Sequence, residues 1–290
     1  MSRRLDHLVL CNRDLDLAAQ AYQALGFTLT PRAVHPFGTC NRLVQFNSRS
    51  FLEILAVDDR TAIPAHGAPD HFSFGAHNQS YIDRLGQGFS MLCFASQDAR
   101  ADVAEFRGKG LQTYEPFDFG RDAQLPDGSF ARVGFSLAFV THPGMNDTAF
   151  FTCQQQHPPE LFWKPQYQSH ANTAEAVVEV ILTAEEPEQL ADFFTRLTGA
   201  AAVGEGDRLS FGPPTDQLTV LTPKRFQERF GQMHSGQGGP SLQAYRITVG
   251  NLQAARTCLR AGNIAFQELS HNLVVAPSGT QGVVIEFSQI

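Results

Sequence analysis

The chain contains 290 residues, of which 42% are hydrophobic and 18% charged, and its formal net charge is −7. This is the composition of a globular protein, and the length suffices for two domains of ordinary size. Because the sequence has no cluster of Lys and Arg, we expect neither nucleic acid nor a membrane as a partner, since binding to nucleic acid or to an anionic membrane surface requires a basic face.

The N-terminal residues lack the apolar core of a signal peptide, and no apolar run approaches transmembrane length. The cysteines are widely spaced, odd in number and without a C-x-x-C pair: Cys11, Cys40, Cys93, Cys153 and Cys258. Such a pattern is typical of reduced thiols. We therefore expect a cytoplasmic protein.

The first predicted unit begins with a strand at residues 5–11, which an amphipathic helix follows. Asp14 is the expected N-cap of that helix, and Gly26 is the expected residue just after its end. Three more strands are predicted, at residues 27–32, 41–46 and 51–56. The unit therefore reads β-α-β-β-β.

Residues 58–88 are rich in Gly, Pro, His and Asp and predict a long loop with one helical turn at 80–85. A loop of this length in a compact domain is often a lid or a pocket wall.

The second unit repeats the pattern. A strand is predicted at 89–94 and a helix at 99–108, and the later strands are at 111–117, 131–140 and 149–153, with a turn at Pro126-Asp127-Gly128. Residues 154–172, rich in Gln, Pro and His, form the candidate linker to the rest of the chain.

Two further units follow, separated by a Gly-rich break at 235–240. In the third, strands are predicted at 176–182, 200–204, 208–212 and 217–221, with a helix at 187–197. In the fourth, strands are predicted at 242–249, 264–269, 272–276 and 282–288, with a helix at 252–261. Runs of strands without intervening helices argue against a parallel α/β sheet. We predict an α+β protein with curved mixed sheets and two domains, residues 1–165 and 166–290.

Three stretches of the chain carry a family resemblance. They are LDHLV at 5–9; HPFGTCNRLV at 35–44 with FLEIL at 51–55; and FFTCQ at 150–154, followed by PELFW at 159–163 and YQSHAN at 167–172. Together with the repeated unit, they resemble the glyoxalase-like domain proteins of the vicinal oxygen chelate superfamily, which also includes extradiol dioxygenases and bleomycin-resistance proteins. The resemblance implies four βαβββ modules paired into two domains, with a candidate active site in the first.

Members of this superfamily place metal ligands on the first and last strands of their modules. Carried over to this chain, the resemblance implies His7 and Glu53 as metal ligands, with Met91 and Cys153 at the equivalent positions of the second module. The implied cofactor is a divalent metal (Fe, Mn, Zn or Ni). In the second domain the equivalent positions are Glu179, 218–219, 244–245 and Glu286.

His7 and Glu53 should project from one face of a sheet, because each lies between apolar neighbours that point the other way. They would hold a divalent ion, or form a metal-free His–Glu hydrogen bond in a polar cavity. Glu53 is also a candidate general base, provided that an apolar pocket raises its pKa.

Five more residues are candidates for substrate binding. His35, Thr39 and Asn41 offer hydrogen-bond donors and acceptors, and Met91 and Cys153 come from the second module. A simpler interpretation makes Thr39 part of a turn, Asn41 a backbone tie and Cys153 an inert buried thiol.

The resemblance implies a small-molecule enzyme that acts on a compound with vicinal oxygens, by isomerisation through an enediolate, ring-cleaving oxygenation, or hydrolytic or lyase chemistry. The alternative is a metal-free binding protein that sequesters a hydrophobic or aromatic small molecule, as resistance-type relatives do. The 24 Phe residues and the incomplete ligand set favour that alternative. Homodimers are common in the superfamily, so a homodimer is also compatible with the resemblance.

Overall fold

The computed structural model describes residues 2–64, 70–124, 128–232 and 239–289. Within them the first half of the chain forms a nine-stranded mixed sheet in the order β2-β3-β4-β1-β5-β9-β8-β6, with β7 paired to β8. Its strands are β1 (Leu5–Asn12), β2 (Ala33–Val34), β3 (Thr39–Gln45), β4 (Phe51–Val57), β5 (Gly88–Ala95), β6 (Gln112–Thr113), β7 (Phe117–Gln124), β8 (Phe130–Thr141) and β9 (Ala149–Gln155).

The second half forms a seven-stranded mixed sheet in the order β11-β12-β10-β13-β16-β15-β14. Its strands are β10 (Ala174–Thr183), β11 (Arg208–Phe211), β12 (Gln217–Leu221), β13 (Ser241–Val249), β14 (Phe266–Leu269), β15 (Asn272–Val275) and β16 (Val284–Ser288). The halves share one pairing scheme. β1 runs parallel to β4 and antiparallel to β5. In the same way, β10 runs parallel to β12 and antiparallel to β13. The predicted α+β class with two curved mixed sheets is confirmed.

The described residues also form α-helices and short 3-10 helices at Arg60–Ala62, Pro165–Tyr167, Pro187–Leu190 and Pro277–Gly279. The α-helices are α1 (Leu15–Ala24), α2 (Phe74–Leu85), α3 (Ala99–Gly108), α4 (Pro159–Phe162), α5 (Ala191–Thr198), α6 (Pro223–Phe230) and α7 (Leu252–Ala261). As predicted, the Asp14 carboxylate caps α1, and Gly26 follows the helix with a positive φ of 91°. None of these helices has the length and apolar character needed to cross a membrane.

The sequence prediction lacked the helices α4 and α6 and included only the last part of α2, as one helical turn at 80–85. The segment 58–88, expected to be a long loop, contains the three-turn helix α2, which the Ser73 hydroxyl caps. The helix α6 follows β12 directly; the Thr222 hydroxyl caps it and it buries Phe226 and Phe230, four residues apart. Both helices are short and mostly polar, so periodicity alone identifies them weakly.

Two predicted strands are also missing. Residues 27–32 form no strand, because Pro31 has no N–H to donate to a ladder. Residues 200–204 contribute only an isolated bridge between Val203 and Ser210. Pro126 and Asp127 of the predicted turn, and residues 235–238 of the predicted break, lie outside the described residues.

One hydrophobic core joins the two sheets. It includes residues of β1 and β5 together with residues of β10 and β13. The hydroxyls of Tyr22 and Tyr245 lie 3.1 Å apart within it. The candidate linker is fastened to the first half, because His170 contacts the backbone oxygen of Gln45 at 2.8 Å. A division of the chain at residues 165 and 166 therefore stays a prediction.

A separate cluster of buried side chains covers the opposite face of the first sheet. We call this concave face, together with α2, which packs on it, the N-terminal cup. The corresponding face of the second sheet packs against α6, and we call it the C-terminal cup.

Candidate functional site

A small cavity of about 40 Å³ lies in the N-terminal cup. A single water molecule requires roughly 10–15 Å³ of such space, so only a few non-hydrogen atoms fit inside. We call it the inner cavity. Its aromatic lining comes from six residues: Phe51, Phe74, Phe119, Phe135, Phe151 and Phe162. Its polar lining comes from His7, His35, Asn41, Glu53, Arg121 and Cys153.

The His7 imidazole is held from two sides. Its Nδ1 lies 2.6 Å from Oδ1 of Asp6, and its ring stacks on Phe51, its register partner on β4, with centroids 4.2 Å apart. Adjacent strand residues normally point to opposite faces, but the register shift between Leu5 and His7 lets the Asp6 carboxylate reach the ring. Nδ1 is then the protonated nitrogen, and Nε2 faces the cavity with a free lone pair when the ring is neutral.

Glu53 is the acidic residue of the inner cavity. It lies on β4, only 5% exposed, with Oε2 3.8 Å from Nε2 of His7. The Asn41 amide donates a 2.6 Å hydrogen bond to its Oε1. Burial raises the pKa of Glu53; the charge of His7, the Asn41 hydrogen bond and the charge of Arg121 oppose this only in part. The site thus holds a carboxyl group that takes up a proton more readily than an exposed glutamate.

His35 is a neutral neighbour of this carboxyl group. Burial, together with the charges of Arg121 and His7, lowers the pKa of His35 to about 3. The Asn41 amide nitrogen lies 3.2 Å from its Nε2, so Nε2 is the acceptor and Nδ1 carries the proton toward Oγ1 of Thr39 at 2.8 Å. The Asn41 oxygen is buried without a hydrogen-bond partner among the described residues.

The structure places the other predicted substrate contacts differently. Cys153 lines the inner cavity, whereas Thr39 lies behind His35 and Met91 packs against Asn78, at 3.9 Å from its amide nitrogen. A hydrogen bond with Cys93 lowers the pKa of the Cys153 thiol, but burial and nearby carboxylates outweigh it and raise the pKa. The raised pKa disfavours the thiolate form that a nucleophilic cysteine requires. Contact of Thr39 or Met91 with a substrate stays a prediction.

Arg121 is a lining residue that the sequence analysis missed. It lies on β7, where register pairs Phe117, Phe119 and Arg121 with the buried residues Leu137, Phe135 and Val133. A signal was present, because residues 117, 119 and 121 alternate along one strand face. The segment was not predicted as a strand, so the alternation was not used.

A metal site requires several ligand atoms close to one another. Among the described residues, one His/Cys/Asp/Glu trio has ligand atoms within 4.8 Å of one another: Asp6, His7 and Cys93. The Asp6 carboxylate is already hydrogen-bonded to Nδ1 of His7. Burial raises the pKa of the Cys93 thiol well above its ordinary value, which disfavours the thiolate form that binds a metal.

On the cavity side there are three candidate donors: Nε2 of His7 and Nε2 of His35 lie 3.8 and 3.9 Å from the carboxylate oxygens of Glu53. Their ligand atoms are not all within 4.8 Å of one another, and Arg121 adds a positive charge that repels a cation. As arranged in the described residues, the three donors do not converge on one ion position. A metal at His7 and Glu53 stays a prediction.

In the C-terminal cup, an arginine lies between Glu179 and Glu286, at the positions equivalent to the metal ligands that the resemblance implies. Arg229 donates to both oxygens of Glu179 at 2.9 and 2.7 Å and to Glu286 at 2.6 Å. The Thr219 hydroxyl donates to Glu179 at 2.7 Å. The residue of β13 that reaches Glu179 is Arg246, at 3.3 Å, rather than one of the expected positions 244–245. The two carboxylates are thus neutralised by the protein itself.

Comparisons with known proteins agree with this architecture. A family model described as a glyoxalase-like domain matches residues 5–198. No curated protein sequence matches the chain significantly. A hypothetical protein from Staphylococcus aureus has a similar structure, with 14% identity, a TM-score of 0.69 and 99% of each chain covered.

Two functionally described proteins share the fold. A mutant of 4-hydroxymandelate synthase from Streptomyces coelicolor has 12% identity and a TM-score of 0.62, over 100% of this chain and 93% of that chain. The Mn(II)-bound glyoxalase from Novosphingobium aromaticivorans has 10% identity and a TM-score of 0.56, over 100% and 83%. At these identities the similarity shows the fold alone, that of the vicinal oxygen chelate superfamily.

Proposed function

The chain belongs to the glyoxalase-like domain family, and we propose that it is a small-molecule enzyme in which Glu53 moves a proton on a compound with vicinal oxygens. One observation carries the proposal: a buried glutamate of raised pKa faces the Asp6-oriented imidazole of His7 at 3.8 Å. A carboxylate whose pKa is raised toward the working pH is a more effective general base.

Isomerisation of an α-hydroxy carbonyl compound is the reaction that best matches these groups. The C–H proton of the carbinol carbon passes to Glu53, and the electron pair of that bond forms the carbon–carbon double bond of an enediol. Nε2 of His7 takes the hydroxyl proton and gives a proton to the former carbonyl oxygen. Glu53 then returns its proton to the neighbouring carbon, so atoms and electrons balance without an oxidant.

The walls of the inner cavity support this chemistry. Its six phenylalanines surround the polar groups with apolar surface, and an apolar environment strengthens electrostatic interactions at the reacting atoms. Asn41 fixes the Glu53 carboxylate at 2.6 Å, and Asp6 fixes the His7 ring. The base and its partner are therefore oriented before a substrate arrives.

The test uses phenacyl alcohol, an aromatic α-hydroxy ketone, in deuterated water. We expect the protein to exchange the carbinol hydrogens for deuterium, as followed by proton NMR, and Glu53→Gln to slow the catalysed exchange by about 100-fold or more. Glu105→Gln, an exposed carboxylate in the same half, is the matched control and should exchange at the rate of the unchanged protein. Exchange by Glu53→Gln at that same rate would disprove the role of Glu53.

A second candidate, sequestration of an aromatic compound, is favoured by the aromatic lining of the inner cavity. The only tryptophan of the chain, Trp163, reports on this region because its ring lies 5.9 Å from that of Phe51. Quenching of its fluorescence by phenacyl alcohol without any exchange would favour sequestration.

Elemental analysis of protein purified without chelator tests the metal. A stoichiometric metal that disappears in both His7→Ala and Glu53→Gln would instead favour the metal-dependent enzyme that the resemblance implies.

A further inference from the structure

The Arg121 guanidinium is an unusual feature of the N-terminal cup. It lines the inner cavity, yet it has no hydrogen bond or ion pair among the described residues. Burial lowers the pKa of Arg121, and the attraction of Glu53 offsets this only in part. A guanidinium stays charged under all ordinary conditions, so Arg121 presents a positive charge whose donors are not engaged by any described residue and which only the more distant Glu53 attracts. Such a charge inside a protein normally has a partner.

A second concavity opens beside the inner cavity. This outer groove has a volume of about 140 Å³ and shares Leu43, Arg121 and Phe162 with the inner cavity. Arg121 therefore stands where the two spaces meet. A molecule too large for the 40 Å³ inner cavity can place its reacting atoms in that cavity and the rest of its body in the outer groove.

The outer groove is positively charged although the whole chain carries a net charge of −7. Arg32, Arg121 and Lys164 line it, and Asp122 is the acidic residue of its lining. Arg32 pairs with Asp58, and Lys164 donates to a backbone oxygen. Of these three cations, Arg121 is the one without a hydrogen bond or ion pair to any residue that the structure describes. A local positive surface on an acidic protein attracts anions and repels cations.

We propose that Arg121 binds the carboxylate of the substrate, which is a small organic acid with an apolar or aromatic body. The planar guanidinium matches a carboxylate with two parallel hydrogen bonds. The apolar body lies along Leu43 and Phe162, and the adjacent carbon reaches the inner cavity beside Glu53. This inference rests on the proposed function and adds the charge of the substrate to it.

The experiment compares mandelate with mandelamide, which has the same shape without the charge. Each is titrated against the full chain while the fluorescence of Trp163 is recorded. We expect mandelate to bind about 10- to 100-fold more tightly, the difference typical of a charge-assisted paired hydrogen bond. In Arg121→Gln the two affinities should become equal, with that for mandelamide unchanged.

Two further variants sharpen the result. Arg107→Gln removes an exposed arginine of the same half that pairs with Glu115 and lines neither the inner cavity nor the outer groove, so the preference for mandelate should persist. Arg121→Lys keeps the charge but loses the planar fork, so a preference of a few-fold should remain. Thermal denaturation shows whether Arg121→Gln folds. If it does not, the ratio of the affinities for mandelate and mandelamide, measured in the unchanged protein and in Arg121→Lys, decides whether the inference holds.

Equal binding of mandelate and mandelamide to the unchanged protein would overturn the inference, as would an undiminished preference in Arg121→Gln. These outcomes are separable from failure of the proposed function. If Glu53→Gln still exchanges phenacyl alcohol while Arg121 still selects the acid, the proton-transfer role is wrong and the anion site stands. If Glu53→Gln abolishes exchange but mandelate and mandelamide bind equally well, the proton-transfer role stands and the anion site is wrong.

Discussion

Both cups contain buried glutamates, Glu53 on β4 in one and Glu179 on β10 and Glu286 on β16 in the other, but the charges of these glutamates are compensated differently. In the N-terminal cup, burial raises the pKa of Glu53, whose carboxylate accepts one hydrogen bond from the part of the chain that the structure describes, from the Asn41 amide, with the charges of His7 and Arg121 farther away. In the C-terminal cup, burial alone would raise the pKa of Glu179, but the hydrogen bonds and the charge of Arg229 outweigh it and lower the pKa. One carboxyl group is ready to take up a proton, and the other is fixed as an anion.

The helices that cover the cups account for the difference. The helix α2 contributes Phe74 to the wall of the inner cavity. The helix α6 contributes Arg229, which lies between Glu179 and Glu286. The same backbone frame therefore gives a cavity or an internal ion-pair network, depending on one side chain of the covering helix.

The largest expected effect comes from removing that side chain. Arg229→Leu should lower the free energy of unfolding at pH 7 by about 3–5 kcal/mol, since it removes the ion-pair partner of Glu286 and leaves Arg246 as the remaining described partner for the charge of Glu179. Urea denaturation followed by circular dichroism measures the change. Arg225→Leu removes an exposed arginine of the same helix and should cost less than about 1 kcal/mol.

A compensating variant sharpens this prediction. Adding Glu179→Gln and Glu286→Gln to Arg229→Leu removes the uncompensated charges and should recover much of the lost stability. If Arg229→Leu alone unfolds like the unchanged protein, the network does not stabilise the C-terminal cup.

The two glutamates should respond to pH with opposite signs. The lowered pKa of Glu179 gives stability that is fully present above the pKa of an unfolded glutamate, about 4.3, and is lost as the pH falls through the lower folded value. The raised pKa of Glu53 has the opposite effect. Its contribution to stability is fully present below the pKa of an unfolded glutamate, about 4.3, and is lost as the pH rises through the higher pKa of the folded state.

At pH 7, Glu179→Gln should therefore be destabilising by about 3 kcal/mol, whereas Glu53→Gln should be stabilising by about 1 kcal/mol. Urea denaturation between pH 4 and pH 8 checks both, and the effect of Glu53→Gln should shrink toward pH 4. Stability changes of the same sign in the two variants would contradict the contrast between the cups.

Helix capping should affect the two covering helices alike. The Ser73 hydroxyl accepts from the backbone of Ala76 in α2, and that of Thr222 accepts from Arg225 in α6. Ser73→Ala and Thr222→Ala should each cost about 1 kcal/mol. Ser73→Thr and Thr222→Ser keep a capping oxygen and serve as controls in thermal denaturation. A loss in the controls equal to that in the alanine variants would show that capping is not the cause.

The smallest expected effect concerns the hydrogen bond between Asn41 and Glu53. Asn41→Leu removes a donor to the charged carboxylate, so the pKa of Glu53 should rise further, by less than about one pH unit. Carbon-13 NMR of the glutamate carboxyl signals, assigned with Glu53→Gln, measures the titration. Thr39→Val, which touches His35 instead, should leave the Glu53 titration in place; an equal shift there would contradict the assignment.

Local patterns in the sequence predicted much of the fold. The caps and ends of α1, α3 and α7 follow from residues within one helical turn, such as Asp14 and Gly26. Alternation along β1 and β4 placed His7 and Glu53 on one face, and their facing atoms lie 3.8 Å apart. The helix α6 and the first part of α2 were missed because their few apolar residues become informative only against a sheet.

The chemistry of the site required the tertiary structure. Arg121 is 68 positions from Glu53 in the sequence numbering, and Arg229 pairs with residues 50 and 57 positions away. No local pattern fixes such contacts, because they depend on how β7 and α6 pack across the sheets. The sequence by itself determined the repeated modules and the sheet face of His7 and Glu53, since strand alternation and helix capping act over a few residues. Only the tertiary structure decided which carboxylate is paired, since burial and charge compensation are properties of the packed chain.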